Sequence, residues 1–493
     1  ATLFAKDGYK IKIKFTDVTD STVFLAHYYG KPLPTIYKTD SAVLDKNGFA
    51  ILQSDKETLG GIYILLLSDK KTYLEFLLNN GDDFEMTITT SKLPLGVNFK
   101  NSPENDGFIG YLQFLNDFGA KQQELTNQFN NAKSPSDSIA SRNKLVAHAK
   151  SLSDYRRDYV VQHPKALLTS IFNGLEVPVV PEKGDVLPNG KKDSNFAYNY
   201  YKAHYWDGVN FQDDGILRTP FFADRVKKYF NSVVVQNPDS INVEIDRMMN
   251  RTQPETLLGK LLLAHFTYNY QTSKIMGFDK VFIHIVDKYF KTGKANLVYD
   301  EEVIKQIIKQ GDKIRPLLVG KKAPDLTMIN ASDRDIIAKM GFETAKTSEE
   351  VTKLFYNNQT KLNSMFNNLY SLKADYLILA FWDVDCSHCK VEIPKLLEEY
   401  HKLKNENKDI KVYCVYTQND GEKYLKYINE NKLDWINVYD GVHYNNVIEK
   451  YDVYSTPVIY VLDRNKIIKA KRIGVEQVSE IVNLMEQEYK KGL

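Results

Sequence analysis

Seven consecutive residues, Tyr376-Leu-Ile-Leu-Ala-Phe-Trp382, run without a polar alternate. A strand with one face in water alternates in character, so this run predicts a strand buried on both faces. Such a strand needs a covering layer on each side, and the neighbouring sequence supplies helical patterns. Apolar residues recur at helical spacing from Cys389 to His401, over Glu422–Asn431 and over Val478–Tyr489. Strand-like segments at Ile410–Thr417, Val458–Leu462 and Lys466–Ala470 alternate with them. That order predicts a mostly parallel α/β domain over residues 319–493.

The buried run leads directly into Phe381-Trp-Asp-Val-Asp-Cys386-Ser-His-Cys389-Lys390. Two thiols three residues apart therefore lie at a strand-to-helix junction, at the helix N-terminus. Unpaired backbone N–H groups and the helix dipole favour negative charge there. A thiolate at Cys386 would be stabilised, which makes it the attacking sulfur. Cys389, one turn into the helix, is close enough to resolve a mixed disulfide formed by Cys386. Half of a metal site and incidental closeness are the alternatives. A zinc site needs further soft ligands, and the sequence has no second CxxC. Cys414 falls on a predicted buried strand, and His401 lies about three turns along the same helix. A c-type haem site would need histidine after the second cysteine, where the chain has Lys390.

With only 3 Cys in 493 residues, packing rather than disulfide bonds must hold the fold. Length predicts about three domains. Lys plus Arg number 65 against 63 Asp plus Glu, so the charge balance predicts no general attraction to nucleic acid. No run of about 18 apolar residues is present to span a bilayer. The start at Ala1-Thr2-Leu3, without methionine, fits a processed or trimmed chain.

Residues 1–95 read as a small antiparallel β sandwich. Tyr9–Phe15 alternates strictly. Asp45-Lys-Asn-Gly48 predicts a hairpin between Ser41–Leu44 and Phe49–Leu52, and Asn80-Gly81 marks a second turn before Phe84–Ile88. Residues 96–318 read as an all-α domain, with helical spacing over Phe108–Phe118, Leu257–Tyr270 and Val281–Tyr289. A loop from Val177 to Gly184, with a turn at Pro188-Asn-Gly190, interrupts it. Trp206 with Tyr200, Tyr201, Tyr205 and Phe211 forms a dense aromatic cluster, expected as core or interdomain packing, with a protein-binding surface as the sharper alternative. The polar insertion at 332–373, helical over Ser348–Phe355, has no assigned place.

Four motifs in order resemble the thioredoxin-fold proteins, specifically the exported TlpA/ResA-like thiol–disulfide oxidoreductases. They are Gly320-Lys-Lys-Ala323-Pro324, Phe381-Trp382 before the CxxC, Cys389-Lys-Val-Glu392-Ile-Pro394, and Ser455-Thr456-Pro457. More loosely, Tyr201–Asp207 through Arg218–Phe222 resembles the DUF5106-type middle region of multidomain thioredoxin-like proteins of Bacteroidetes, which also carry a DUF4369-type β domain. The resemblance implies a multidomain chain ending in a thioredoxin fold. It also implies export to the periplasm or cell envelope, often with a lipid anchor, which this chain would have lost with its export signal.

The resemblance further implies roles. Pro457 would follow a cis peptide bond, leaving the Thr456 backbone free to pair with a substrate strand. Thioredoxin has a buried aspartate where this chain has Ala380, so Glu392 becomes the expected proton acceptor for the buried thiol. His388 precedes the second cysteine, as in disulfide isomerases, and when protonated would stabilise the Cys386 thiolate. Asp385 stands where the family commonly has tryptophan; a carboxylate there would raise the thiol's pKa. Trp382 closes the thioredoxin-like strand. The expected function is reduction or isomerisation of protein disulfides. It needs no metal and no small cofactor, and its partners are disulfide-bearing substrate proteins and a dithiol electron donor. The rival reading is an envelope binding protein or scaffold whose thioredoxin-like domain senses redox state without turnover. A peroxidase fits less well, because that chemistry usually uses a lone cysteine.

Overall fold

The computed structural model describes residues 7–31, 34–182, 184 and 191–491. The start at Ala1 and the turn at Pro188–Gly190 lie outside the described residues. The chain forms two compact units, Ala1–Gln236 with Val243–Leu262, and Asn237–Asn242 with Leu263–Leu493.

In the first unit, strands β1 (Tyr9–Phe15), β2 (Thr22–His27), β3 (Tyr37–Val43), β4 (Phe49–Ser54), β5 (Gly61–Leu67), β6 (Tyr73–Leu78), β7 (Asp82–Ile88) and β8 (Val97–Lys100) make two sheets. Their orders are β4-β1-β7-β8 and β3-β2-β5-β6. The expected reversal at Asp45–Gly48 is present: the Gly48 N–H bonds Asp45 O at 2.9 Å, and Gly48 has φ +73°. A Cβ at Gly48 would come within 2.6 Å of the Phe15 and Val18 carbonyl oxygens, so the turn requires glycine. It does not make a hairpin, however. β3 and β4 enter different sheets, and so do β6 and β7 on either side of Asn80-Gly81. Both turns are corners of the sandwich. The arrangement also departs from a wholly antiparallel one, because β1 and β7 pair in parallel, Tyr9 opposite Asp82. The long excursion between them permits this.

β5 is buried along its whole length. Tyr63, Leu65 and Leu67 face the sandwich interior, while Ile62, Ile64 and Leu66 pack with Phe108, Leu168 and Phe172 of the adjoining helices. The long helices Pro103–Asn130 and Pro135–Gln162 run side by side, joined by a short turn. The aromatic cluster belongs to this unit's interior. Tyr205, Trp206 and Phe211 are buried, and Trp206 packs edge-on to Tyr229 at 5.1 Å. The core reading holds for these three rings, since buried faces are closed to a partner.

The second unit carries helices Asp279–Ile285 and Glu301–Ile314 ahead of a seven-stranded sheet. Its strands are β9 (Thr327–Asn330), β10 (Phe366–Asn368), β11 (Tyr376–Trp382), β12 (Ile410–Tyr416), β13 (Ile436–Tyr439), β14 (Val458–Asp463) and β15 (Ile468–Lys471), ordered β10-β9-β13-β12-β11-β14-β15. Only β11, β12 and β13 run parallel; the other pairings are antiparallel, so the expected mostly parallel sheet is mixed. The reason is local. The tight Asp463–Lys466 turn between β14 and β15 leaves no room for a crossover, so those strands can only reverse. β11 is central and wholly buried, as its composition requires. Helix Ser387–Asn405 covers one face, with Ile393 and Leu396 in a core shared with Ile378 and Ala380. Leu377, Leu379 and Phe381 face the opposite core.

The insertion at 332–373 is now placed. It forms helix Arg334–Lys339, helix Ser348–Met365 and edge strand β10. Thr347 and Glu350 make a reciprocal capping box at the second helix, and Ile337, Phe342 and Leu362 join the core beside Ile378.

Candidate active site

The carboxyl end of β11 sets the position of the two thiols. The Trp382 carbonyl accepts from both the N–H (3.0 Å) and the hydroxyl (3.1 Å) of Thr417, which ties the strand end to the end of β12. The chain then makes an Asx turn: the Asp385 N–H bonds the Asp383 carboxylate at 2.9 Å. The Cys386 N–H bonds the Asp383 carbonyl at 3.2 Å. This turn delivers Cys386 to the N-cap of helix Ser387–Asn405, where its sulfur accepts from the Cys389 N–H at 3.3 Å. A serine or aspartate oxygen usually fills that place. Here a sulfur does, and it faces the positive end of the helix.

The thiols are reduced and differ in exposure: Cys386 is partly exposed, and Cys389 is 0% exposed. Burial opposes ionisation of Cys386, but hydrogen bonds outweigh it and hold the thiol below its ordinary value. They come from the Cys389 thiol, the Thr456 hydroxyl and the N–H groups of Cys389 and His388. Cys389 goes the other way. Burial first, then the adjacent Cys386 sulfur, pushes it up to about 11. At neutral pH the pair therefore holds an outer sulfur inclined to ionise and an inner one that keeps its proton. Burial raises Cys414 well above the ordinary thiol value, consistent with an inert structural sulfur on β12.

Opposite the thiols, Thr456-Pro457 is a cis peptide bond just before β14. The Cys386 thiol donates to the Thr456 carbonyl at 3.3 Å, so Cys386, Cys389, Thr456 and Pro457 are brought together. Trp382 is 0% exposed and packs edge-on to Tyr424 and Tyr427 at 5.7 and 5.1 Å. It supports the junction from beneath without reaching the surface. His388 is exposed, and its influence on Cys386 comes through its backbone N–H rather than its ring.

Two of the sequence expectations meet a different arrangement. Glu392 lies on the helix one turn after Cys389, but its carboxylate bonds the Lys395 ammonium at 2.8 Å rather than the thiol. The Asp385 carboxylate is bound by Lys423 at 2.5 and 2.6 Å, which answers its charge before it can oppose the thiolate. Lys423 was not legible as a site residue. It lies in helix Gly421–Asn431, and no motif links it to the CxxC. Removing it provides a test. In Lys423→Ala the freed Asp385 charge should raise the Cys386 pKa and slow its alkylation at neutral pH by about twofold, since the pair is exposed and screened. The check is the rate of iodoacetamide labelling against pH; an unchanged profile would mean the pair shields nothing.

Comparison with known proteins finds matches along successive stretches of the chain, one of which, over 176–312, spans the boundary between the two units. Three family models match: a domain of unknown function (DUF4369) over residues 9–108, a domain of unknown function (DUF5106) over 176–312, and the AhpC/TSA family over 356–471. Among solved structures, a domain of a possible thiol-disulfide isomerase from Cytophaga hutchinsonii is 34% identical, covering 36% of this chain and 98% of that one, with a TM-score of 0.28. A thioredoxin-like protein from Bacteroides caccae is 19% identical over 62% of this chain and 99% of its own, with a TM-score of 0.43. The thioredoxin domain of a thiol-disulfide oxidoreductase from Bacteroides vulgatus is 24% identical over 34% and 96%, with a TM-score of 0.25. No curated protein matches.

A buried central strand, two thiols at a helix start and a cis-proline loop against them define a thioredoxin-like domain. The matched regions give this chain a multidomain order, with DUF4369 and DUF5106 regions preceding a thioredoxin-like domain of the AhpC/TSA type.

Proposed function

We propose that this protein exchanges thiols and disulfides with protein substrates in the cell envelope, as a reductase or isomerase. The observation that carries the reading is the split between the two sulfurs: Cys386 caps the helix with its thiol pKa lowered, while the buried Cys389 is pushed up to about 11. The Cys386 thiolate attacks one sulfur of a substrate disulfide. A bond forms between Cys386 and that sulfur, the substrate S–S bond breaks, and the other substrate sulfur leaves as a thiolate that takes up a proton. Cys389 then loses its proton and attacks the Cys386 sulfur. The mixed disulfide breaks, and the second substrate sulfur leaves. The substrate has gained two electrons, and Cys386–Cys389 has become a disulfide.

The Thr456 hydroxyl and the Asp383 N–H both lower the Cys389 pKa, so they hold the charge that develops in the second step. Glu392, held through one carboxylate oxygen by Lys395, lies one turn on from Cys389 and is the proposed acceptor of that proton. A dithiol protein returns the pair to its reduced form, and no small cofactor enters the cycle. Modulation by His388 acts through its N–H at the helix start. The envelope location rests on the motif resemblance to exported oxidoreductases. No described helix is long and apolar enough to cross a membrane.

The test is a trap. Cys389→Ser should leave the first step intact and remove the second, so the variant accumulates a covalent adduct with a disulfide-bearing protein that dithiothreitol releases. A scaffold that senses redox state without turnover would form no such adduct, and that result would defeat the proposal.

A further inference from the structure

Beside the redox pair, and within the same unit, lies a groove of about 760 Å³. One wall is the loop after Tyr270 with helix Glu301–Ile314; the other is the segment Glu449–Val458 with the end of β15. The groove includes Ser455 and Pro457, the neighbours of Thr456, whose carbonyl receives the Cys386 thiol at 3.3 Å. The groove therefore runs up to the loop that faces Cys386, the loop against which the exchange reading brings a substrate sulfur.

The lining has two kinds of unsatisfied surface. Ile275 and Met276 are 58% and 45% exposed, apolar side chains standing in water along the walls, and across from them the Tyr454 ring is 69% exposed with Lys313 over one face at 4.2 Å. The acidic side chains of the lining, by contrast, are already engaged. Lys313 holds Glu449 at 3.0 Å, Arg472 holds Asp452 at 2.5 Å, and Lys471 is paired with Asp279. Lys274 and Lys309 also line the groove; Lys309 acts on Glu449, which Lys313 already holds, and the lining's five basic side chains outnumber its three acidic ones, so its charge is positive in surplus.

We propose that this groove receives an extended, acidic segment of the substrate polypeptide next to the cysteine under attack. The proposal rests on the thiol–disulfide exchange reading. A segment laid along Ser455–Thr456 would place an apolar side chain among Ile275, Met276 and Tyr454, and carboxylates toward Lys274 and Lys309. The volume lies in the range that encloses most of a bound ligand. Backbone pairing gives such a segment its direction, and side-chain complementarity selects among substrates.

The experiment uses the full chain and three disulfides: bis(2-hydroxyethyl) disulfide, and two peptide disulfides of equal length whose cysteine is flanked by aspartates or by lysines. The native protein should reduce the aspartate-flanked peptide about tenfold faster than the lysine-flanked one at low salt, with the ratio falling toward unity as salt rises. The double variant Lys274→Glu/Lys309→Glu should reverse the preference, and Met276→Ser should slow both peptides. Neither should alter the rate with bis(2-hydroxyethyl) disulfide, which is too small to reach along the groove. Equal rates for the two peptides, or variants that slow all three substrates alike, would overturn the groove assignment while leaving the exchange chemistry standing. Failure of the native protein to reduce even the small disulfide would instead defeat the exchange reading, and the groove with it.

Discussion

Cys386→Ser should abolish disulfide reduction, lowering turnover by about 10³-fold or more, while the protein stays folded. Serine is itself a preferred N-cap, and its hydroxyl can accept from the Cys389 N–H in place of the sulfur. The helix start is thus preserved, and stability should move by no more than about 0.5 kcal/mol. What disappears is the ionisable nucleophile, because a hydroxyl in this setting is far from deprotonation near neutrality. Insulin reduction, followed as turbidity, is the measurement, with circular dichroism as the control for folding. In the native protein the same nucleophile fixes the sign of the pH response. Turnover should fall as pH drops through the Cys386 thiol pKa, since protonation removes the attacking form. Cys414→Ser, by contrast, should keep full activity. Turnover surviving in Cys386→Ser would move the chemistry away from the CxxC altogether.

The largest loss of stability should come from Trp382→Ala, about 3–5 kcal/mol. The side chain is wholly buried at the end of β11, against Tyr424 and Tyr427 of helix Gly421–Asn431. The neighbours are secured by strand and helix hydrogen bonds, so they cannot collapse into the space, and both transfer and cavity costs apply. Trp382→Phe keeps an aromatic ring there and should cost less than half as much. Urea unfolding followed by far-ultraviolet circular dichroism would separate the variants; a midpoint for the alanine variant equal to that of the native protein would show that this contact is not needed. Trp382→Ala should also weaken reduction, because the turn presenting Cys386 begins at the next residue.

Much of the second unit could be read from the chain because its signals are local. An unbroken apolar run has few options other than a doubly covered strand, and Tyr376–Trp382 takes that place. Cys386 and Cys389 bracket one helical turn, so their relation to each other and to the helix start follows from spacing. Pairing across distance was less accessible. Asp45–Gly48 and Asn80-Gly81 announce reversals, but a reversal does not state whether the strands on either side share a sheet. That depends on the partner each strand finds, and here β3 pairs with β2 but β4 with β1, and β6 with β5 but β7 with β1. The parallel contact between β1 and β7 has no turn to announce it. The same limit explains the site. Nothing in the sequence ties Lys423 to Asp385, or Lys395 rather than Cys389 to Glu392, because ionic partners are chosen by three-dimensional proximity. Chain polarity misled in a different way at 332–373, where a mostly hydrophilic composition conceals Ile337, Phe342 and Leu362 in the core.

The burial of Cys414 has a consequence for bookkeeping at the level of the whole molecule. Three thiols could in principle combine in three ways, but Cys414 is buried in the central sheet and burial holds its thiol well above the ordinary value, which makes it the least reactive of the three. The favoured internal pairing is then Cys386–Cys389, so under the proposed exchange the resting dithiol and disulfide forms differ by a single two-electron step. In signalling terms such a pair would store one bit.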